Sequence, residues 1–256
     1  MPEGLKVMSS PVEVSDTDDE PARRSAPTAV VVVVPAHNEE SLLSRCLRSL
    51  RRAAGDVTVP VHVVVALDSC VDDSARLVPA TMSRVWTDAR NVGAARAAGF
   101  AFAASAFGHG GLDRLWYATT DADSAVPSDW LTAQLSHTDR ADVTVGTVAV
   151  RWRERDEHVR AEYERRYRHR RTAGGHEHVH GANLGFRADW YHRVGGFRPM
   201  SDGEDVDLVA RLEAAGARIA RPEQPAVLTS DRLGNRVRDG FAGYLSGLTS
   251  APPDCA

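Results

Sequence analysis

The sequence predicts an α/β domain with a mostly parallel central sheet flanked by helices, and three observations lead to that expectation. Two β-branched apolar runs, Ala29–Val34 and Val61–Leu67, flank a helical pattern. Such runs suit strands buried on both faces, as the strands of parallel sheets are. The alternation of short apolar runs with helical patterns then continues to about residue 230, with no internal repeat and no dividing linker. Several runs also stop at acidic or amide residues. In an open α/β sheet, ligands bind beyond the carboxyl ends of the strands.

The first strand closes at Pro35-Ala36-His37-Asn38-Glu39-Glu40 and feeds a helix with Leu42, Leu43, Cys46, Leu47 and Leu50 on one side. Asn38 is expected to cap that helix, with Glu39 and Glu40 complementing its positive end. The second strand stops at Asp68, completing a β-α-β unit whose crossover should be right-handed. A short helix over 71–79, a strand at Arg84–Trp86 and an Ala-rich helix over 93–107 come next. Leu115–Thr119 is a strand running into Asp121. Further on, one strand is expected at Val143–Val150, a charged helix from Glu154 to Arg171, and helices near Arg187–Val194 and Asp205–Ala215. A last strand falls at Pro225–Leu228 and a terminal helix near Asp239–Ser246.

Composition narrows the class. The 256 residues suffice for one large α/β domain with a sizeable core. A formal net charge of -4 gives no global reason to expect nucleic-acid binding. Cys46, Cys70 and Cys255 form neither a disulfide framework nor a zinc pattern, which favours a reducing, cytoplasmic setting. No apolar stretch approaches the roughly 18–20 residues needed to span a bilayer. Residues 1–28, rich in Pro and acids with Asp16, Asp18, Asp19 and Glu20 clustered, read as a disordered tail. The domain is expected over 29–248, with 249–256 frayed.

Asp121-Ala122-Asp123 is the sharpest chemical feature. Two carboxylates one residue apart, directly after a buried strand, suit a hard divalent cation such as Mg²⁺ or Mn²⁺. A cation so held can bridge a diphosphate. Glu204-Asp205, after Gly203 and opening a helix, reads either as helix capping or as a general base for an acceptor hydroxyl. His176, His178 and His180 invite a zinc reading, while Gly174-Gly175 before them suggests a loop crossing the site mouth. The Arg-rich stretch 151–171 reads as a solvated helix laced with ion pairs, or as a basic face for an anionic acceptor or a lipid headgroup. Arg232 and Arg236 suit either phosphate contacts or surface ion pairs.

Together these segments resemble the family 2 glycosyltransferases of the GT-A fold. The resemblance rests on Pro35 to Glu39, on Leu67 to Ser74, and on Asn91-Val92-Gly93-Ala94-Ala95-Arg96. It rests equally on Asp121-Ala122-Asp123, Gly181-Ala182-Asn183, Gly195-Gly196-Phe197 and Glu204 to Leu208. The chain departs from the family pattern at Leu67, where an acid is usual, at Ser69-Cys70, and at His37, where many relatives carry an aromatic residue.

The resemblance implies a single-domain GT-A fold, Rossmann-like, with a nucleotide-sugar half over 29–125 and an acceptor half over 126–230. Pro35, Ala36, His37 and Glu39 would line the nucleotide pocket, Asp68 would meet the nucleobase, and Arg96 would approach the diphosphate. Asp123 would bind Mn²⁺ or Mg²⁺, with Asp121 on the ribose or the metal. His180, from its place next to Gly181-Ala182-Asn183, is read as a contact for the metal, the diphosphate or the acceptor. Asp205 would act as base and Glu204 would position the acceptor.

The implied reaction moves a sugar from a nucleotide-sugar, a UDP-sugar by preference, to an acceptor hydroxyl with inversion. A retaining GT-A transferase and a non-catalytic nucleotide- or carbohydrate-binding relative are the alternatives. The acceptor is expected to be small and soluble or lipid-linked, with no nucleic acid and no transmembrane segment involved. Peripheral attachment at the inner membrane face and a homodimer stay open.

Overall fold

The computed structural model describes residues 24–153, 157–172 and 175–231. The expected terminal helix, Arg232, Arg236 and most of the N-terminal tail lie outside the described residues. The last residues of that tail pack on the domain: Arg24 Nε meets Asp142 at 3.0 Å, and the Ser25 carbonyl accepts from Arg187.

In chain order the elements begin with strand β1 (Ala29–Ala36), helix α1 (Leu43–Gly55), β2 (Val61–Asp68), α2 (Ser74–Leu77) and β3 (Ser83–Thr87). There follow α3 (Val92–Phe107), β4 (Leu115–Thr119), α4 (Trp130–Leu135), β5 (Val143–Val145) and β6 (Val148–Arg151). The remainder comprises α5 (Glu157–His169), β7 (Arg171–Thr172), β8 (Gly175–His176), β9 (Leu184–Arg187), α6 (Ala188–Arg193), α7 (Glu204–Ala214), β10 (Ile219–Ala220) and β11 (Val227–Ser230).

Seven strands form the central sheet in the order β10-β5-β9-β4-β1-β2-β3. β1 lies parallel to both β2 and β4, and only β9 runs antiparallel to its neighbours. Every residue of β1 is buried, and the pleat divides them. Val30, Val32 and Val34 face the α1 side with Leu43, Cys46, Leu47 and Leu50, whereas Val31 and Val33 face Phe100, Tyr117 and Phe186. The period of two therefore fills two cores from one strand, which is why β1 needs an unbroken branched run. On the second face α3 rests directly on β1. A Cβ at Gly99 would lie 2.5 Å from Val33 Cγ1, so only glycine allows that approach.

The expected strand over Val143–Val150 is two strands in two sheets. β5 joins the central sheet, and β6 pairs in parallel with β11. Asn183 makes the break: its Nδ2 donates to Thr147 O at 2.8 Å, its carbonyl accepts from Gly146 N, and its side chain fills the space a Cβ at Gly146 would need. The last strand is correspondingly shifted to Val227–Ser230, because Pro225 gives its carbonyl to the same Asn183. The expected Glu154–Arg171 helix is observed as Glu157–His169. Among the described residues no helix is long and apolar enough to cross a membrane.

Candidate active site

The loops beyond β1, β2 and β3 are knitted together before they meet any ligand. Asn38 does not cap α1, which begins at Leu43. It takes a left-handed φ of 53°, and its Oδ1 accepts from Val71 N at 2.8 Å. Glu39 N donates to Ser74 Oγ, and Glu40 N to Asp72 Oδ2. Ser69 and Arg90 also have positive φ, 50° and 48°, so each of the three loops holds one non-glycine residue in the left-handed region. That conformation costs about 1–2 kcal/mol per residue and persists only where surrounding contacts enforce it.

Asp68 supplies much of that enforcement. Its Oδ1 accepts from Ala89 N and Arg90 N, and its Oδ2 from Asn91 N at 2.7 Å. Asn91 in turn caps α3, accepting from Ala94 N at 2.9 Å. The end of β2 thus aims α3, and α3 carries Arg96 into the site. His37 is fixed in the same corner, with Nδ1 donating to the Asp68 carbonyl at 2.6 Å. A carbonyl only accepts, so Nδ1 bears the proton. The ring is anchored as a turn would require and still lines the cleft.

The cleft at this sheet edge encloses about 1200 Å³. Pro35, Ala36, His37, Glu39 and Asp68 line one side, and Arg96, Asp121, Asp123, Glu204, Asp205 and His180 also border it. All of the site residues read from the sequence are therefore brought to one cavity.

Arg96 does not stand open to a diphosphate as expected. Its guanidinium is buried, with Nη2 2.6 Å from Asp121 Oδ1 and Nη1 on Glu204 Oε1. A Cβ at Gly181 would collide with that guanidinium, so the Gly181-Ala182-Asn183 turn closes over it. Burial, with Asp123 and Glu204 nearby, pushes Asp121 up to about 6 against the opposing pull of Arg96. Although 37% of its side chain is accessible, Asp121 lines the cleft, and burial there is the leading cause of the rise. Asp205 is raised too, by burial and by Glu204. Its Oδ2 accepts from Gly181 N at 2.6 Å and its Oδ1 from Val206 N.

Asp123 is braced from the second sheet. Ser230 Oγ donates to its Oδ2 at 2.6 Å, and Ala125 and Leu228 exchange backbone hydrogen bonds just beyond. Ser230 is not signalled by the sequence, since nothing local in β11 points to a carboxylate 107 residues upstream.

The three histidines do not make a zinc site. His176 Nε2 faces Pro222 O and His178 Nε2 faces Tyr167 O at 2.9 Å, so both nitrogens donate to carbonyls. His180, expected on the metal, meets the Tyr167 hydroxyl through Nε2 at 3.2 Å. That hydroxyl also accepts from Val148 N. Burial, aided by His178, His176 and Arg170, lowers His180 to about 3. The histidines instead form a stack with Tyr167, whose ring lies 3.7 Å from that of His178 at an interplanar angle of 8°.

Among the described residues no group of three or more His, Cys, Asp or Glu side chains is arranged to hold a metal. The donor set nevertheless fits a hard cation. Four carboxylates share the wall with one guanidinium, and Mg²⁺-type ions are commonly held by one or two carboxylates plus substrate phosphates.

A parallel sheet with a carboxylate-lined cleft at its carboxyl edge, flanked by a small second sheet, defines a GT-A fold. The sequence model of the family described as Glycosyl transferase family 2 matches residues 31–195, more than half of the chain. The chain belongs to that family. Among solved structures it is similar to S. aureus TarS 1-349 in complex with UDP-GlcNAc, at 15% identity and a TM-score of 0.59 over 83% of this chain. It spans 61% of the length of that protein. It is also similar to the mannosyltransferase PcManGT from Pyrobaculum calidifontis, in complex with GDP-Man and Mn²⁺, at 18% identity and a TM-score of 0.56. That likeness covers 87% of this chain and 61% of the other. Comparison with curated proteins found no match.

Proposed function

We propose that this protein transfers a sugar from a nucleoside-diphosphate sugar, UDP-linked by preference, to an acceptor hydroxyl, with inversion and with Mn²⁺ or Mg²⁺. The observation that carries this reading is that Asp121, Asp123, Glu204 and Asp205 line one cavity at the carboxyl edge of the sheet, two of them held by the buried guanidinium of Arg96. The excess of negative charge calls for a cation, and a diphosphate arriving with that cation would complete its shell. The two similar structures, with UDP-GlcNAc in one and GDP-Man with Mn²⁺ in the other, support a nucleotide-sugar donor without choosing the base.

In this reading residues 29–125 form the donor half and 126–230 the acceptor half of a domain extending to 248. Pro35, Ala36, His37 and Glu39 border the nucleotide, and Asp68 both shapes that wall and meets the base. Asp123, with Asp121, would hold the ion, which when bound neutralises charge on the diphosphate. Asp205 takes the proton of the acceptor hydroxyl. The acceptor oxygen attacks the anomeric carbon opposite the diphosphate, the anomeric C–O bond breaks, and its electron pair leaves with the diphosphate. Burial and Glu204 raise the proton affinity of Asp205, as a base requires. Arg96 pins Glu204 and Asp121, keeping the wall in register.

Calorimetric titration of UDP and GDP into the protein, with and without Mn²⁺, tests the donor site. One nucleotide should bind, only with the metal, and Asp123→Ala should abolish it. Failure of every nucleoside diphosphate under all metal conditions would remove the transferase reading.

A further inference from the structure

Two sets of charges line the cleft. In one, carboxylates hold Arg96 already paired. In the other, α5 and the residue that follows it present Arg165, Arg166, His169 and Arg170 to the same cavity. Complementing the helix C-terminus explains basic residues in the last turn of α5. Glu162 accounts for Arg165, which grips it through Nε and Nη2. Neither explains Arg170, which lies past the helix end and has no carboxylate partner among the described residues. Arg166 meets Glu162 through Nε, so its Nη edge is left over.

This cationic set is both rigid and close to the reacting wall. The Tyr163–Tyr167 and Tyr167–His178 ring stacks, with centroids 5.4 and 3.7 Å apart, tie α5 to the 176–180 segment. Tyr167 also bonds Val148 N at 3.0 Å. His180 stacks in the same column, and the next residue, Gly181, gives its N–H to Asp205. Arg170 is near enough to His180 to disfavour a charge on it. From Arg170 to the proposed base, the wall runs through His180 and Gly181.

We propose that Arg166 and Arg170 bind a phosphate ester carried by the acceptor, placing a hydroxyl near that phosphate beside Asp205. This deepens the transferase reading and rests on it for the role of Asp205. Guanidinium groups offer planar paired donors that match phosphate oxygens, and because Arg165 and Arg166 share the single carboxylate of Glu162, this cationic group keeps a net positive charge that draws an anion in.

The test uses the full chain with two probes: sn-glycerol 3-phosphate, followed by titration, and phosphatidylcholine vesicles containing phosphatidylglycerol, followed by flotation. Each is measured with and without nucleotide and Mn²⁺. The wild type should bind at least one probe, and Arg166→Gln/Arg170→Gln should weaken that binding about tenfold or more while leaving nucleotide affinity unchanged. Binding of the soluble ester alone assigns a soluble acceptor, and binding of the vesicles assigns a lipid-linked one. Glu162→Gln, which removes the shared counter-charge, should tighten binding and keeps the test readable if the double variant misfolds. The proposal is overturned if neither probe binds the wild type, or if the double variant binds as tightly. Probe binding that depends on these arginines in a protein that binds no nucleotide would uphold the anion site and sink the transferase reading alone.

Discussion

Arg96 Nη2 lies 2.6 Å from Asp121 Oδ1, and the same guanidinium reaches Glu204 from its other nitrogen. One side chain from α3 thereby joins the end of β4 to the start of α7, elements eighty residues apart. Removing one partner of a buried ion pair strands the other charge and typically costs about 3–5 kcal/mol. Arg96→Met should lower stability by that order in denaturant unfolding, and a loss under about 1 kcal/mol would contradict this role.

Ser230 should matter through Asp123. Its hydroxyl fixes Oδ2 of that carboxylate at 2.6 Å, the kind of outer contact whose loss weakens metal binding by about tenfold or more. Ser230→Ala is expected to raise the Mn²⁺ concentration needed for nucleotide binding by about tenfold, with the unfolding midpoint nearly unchanged. An unaltered metal requirement would show that Asp123 is oriented by other contacts.

The central strands and the acidic edge were legible in the sequence because β1 and β2 are long and rich in branched apolar residues, β4 is buried throughout, and each ends in or runs directly into polar residues that the topology brings to one side. β9, β10 and the split of β5 from β6 were not. Strands of two to four residues carry too few side chains to show a period, and the break after Val145 is made by Asn183 from elsewhere in the chain. Spacing places Arg96 near the cleft but does not reveal that two carboxylates, Asp121 and Glu204, claim its guanidinium. Asn38 illustrates the same limit: a good capping residue was used instead to tie two loops together.

His180 predicts a pH dependence with a definite sign. Burial holds its folded pKa near 3, against 6.5 ordinarily, so between those values the unfolded chain binds a proton that the folded protein refuses. Stability should therefore fall as pH drops from about 6.5 toward 3. His180→Gln keeps a hydrogen-bonding group for the Tyr167 hydroxyl but does not titrate. Its melting temperature should decline less steeply than that of the wild type over this range. Parallel slopes would place the acid sensitivity on other groups.

Asp205 offers the clearest separation of binding from chemistry. Its two oxygens are held by Gly181 N and Val206 N, contacts that an asparagine can keep through its own carbonyl oxygen in part. Asp205→Asn should then leave the fold and nucleotide affinity near wild type, because the donor wall proposed above is formed by other residues, from β1, β2 and the Asp68 turn. Without a base, transfer should slow by about 10²–10⁴. The anomeric configuration of the product, followed by NMR, completes the test: inversion with a slow Asp205→Asn variant fits a carboxylate base. Retention with a near-normal rate would mean that Asp205 holds the Gly181 turn and nothing more.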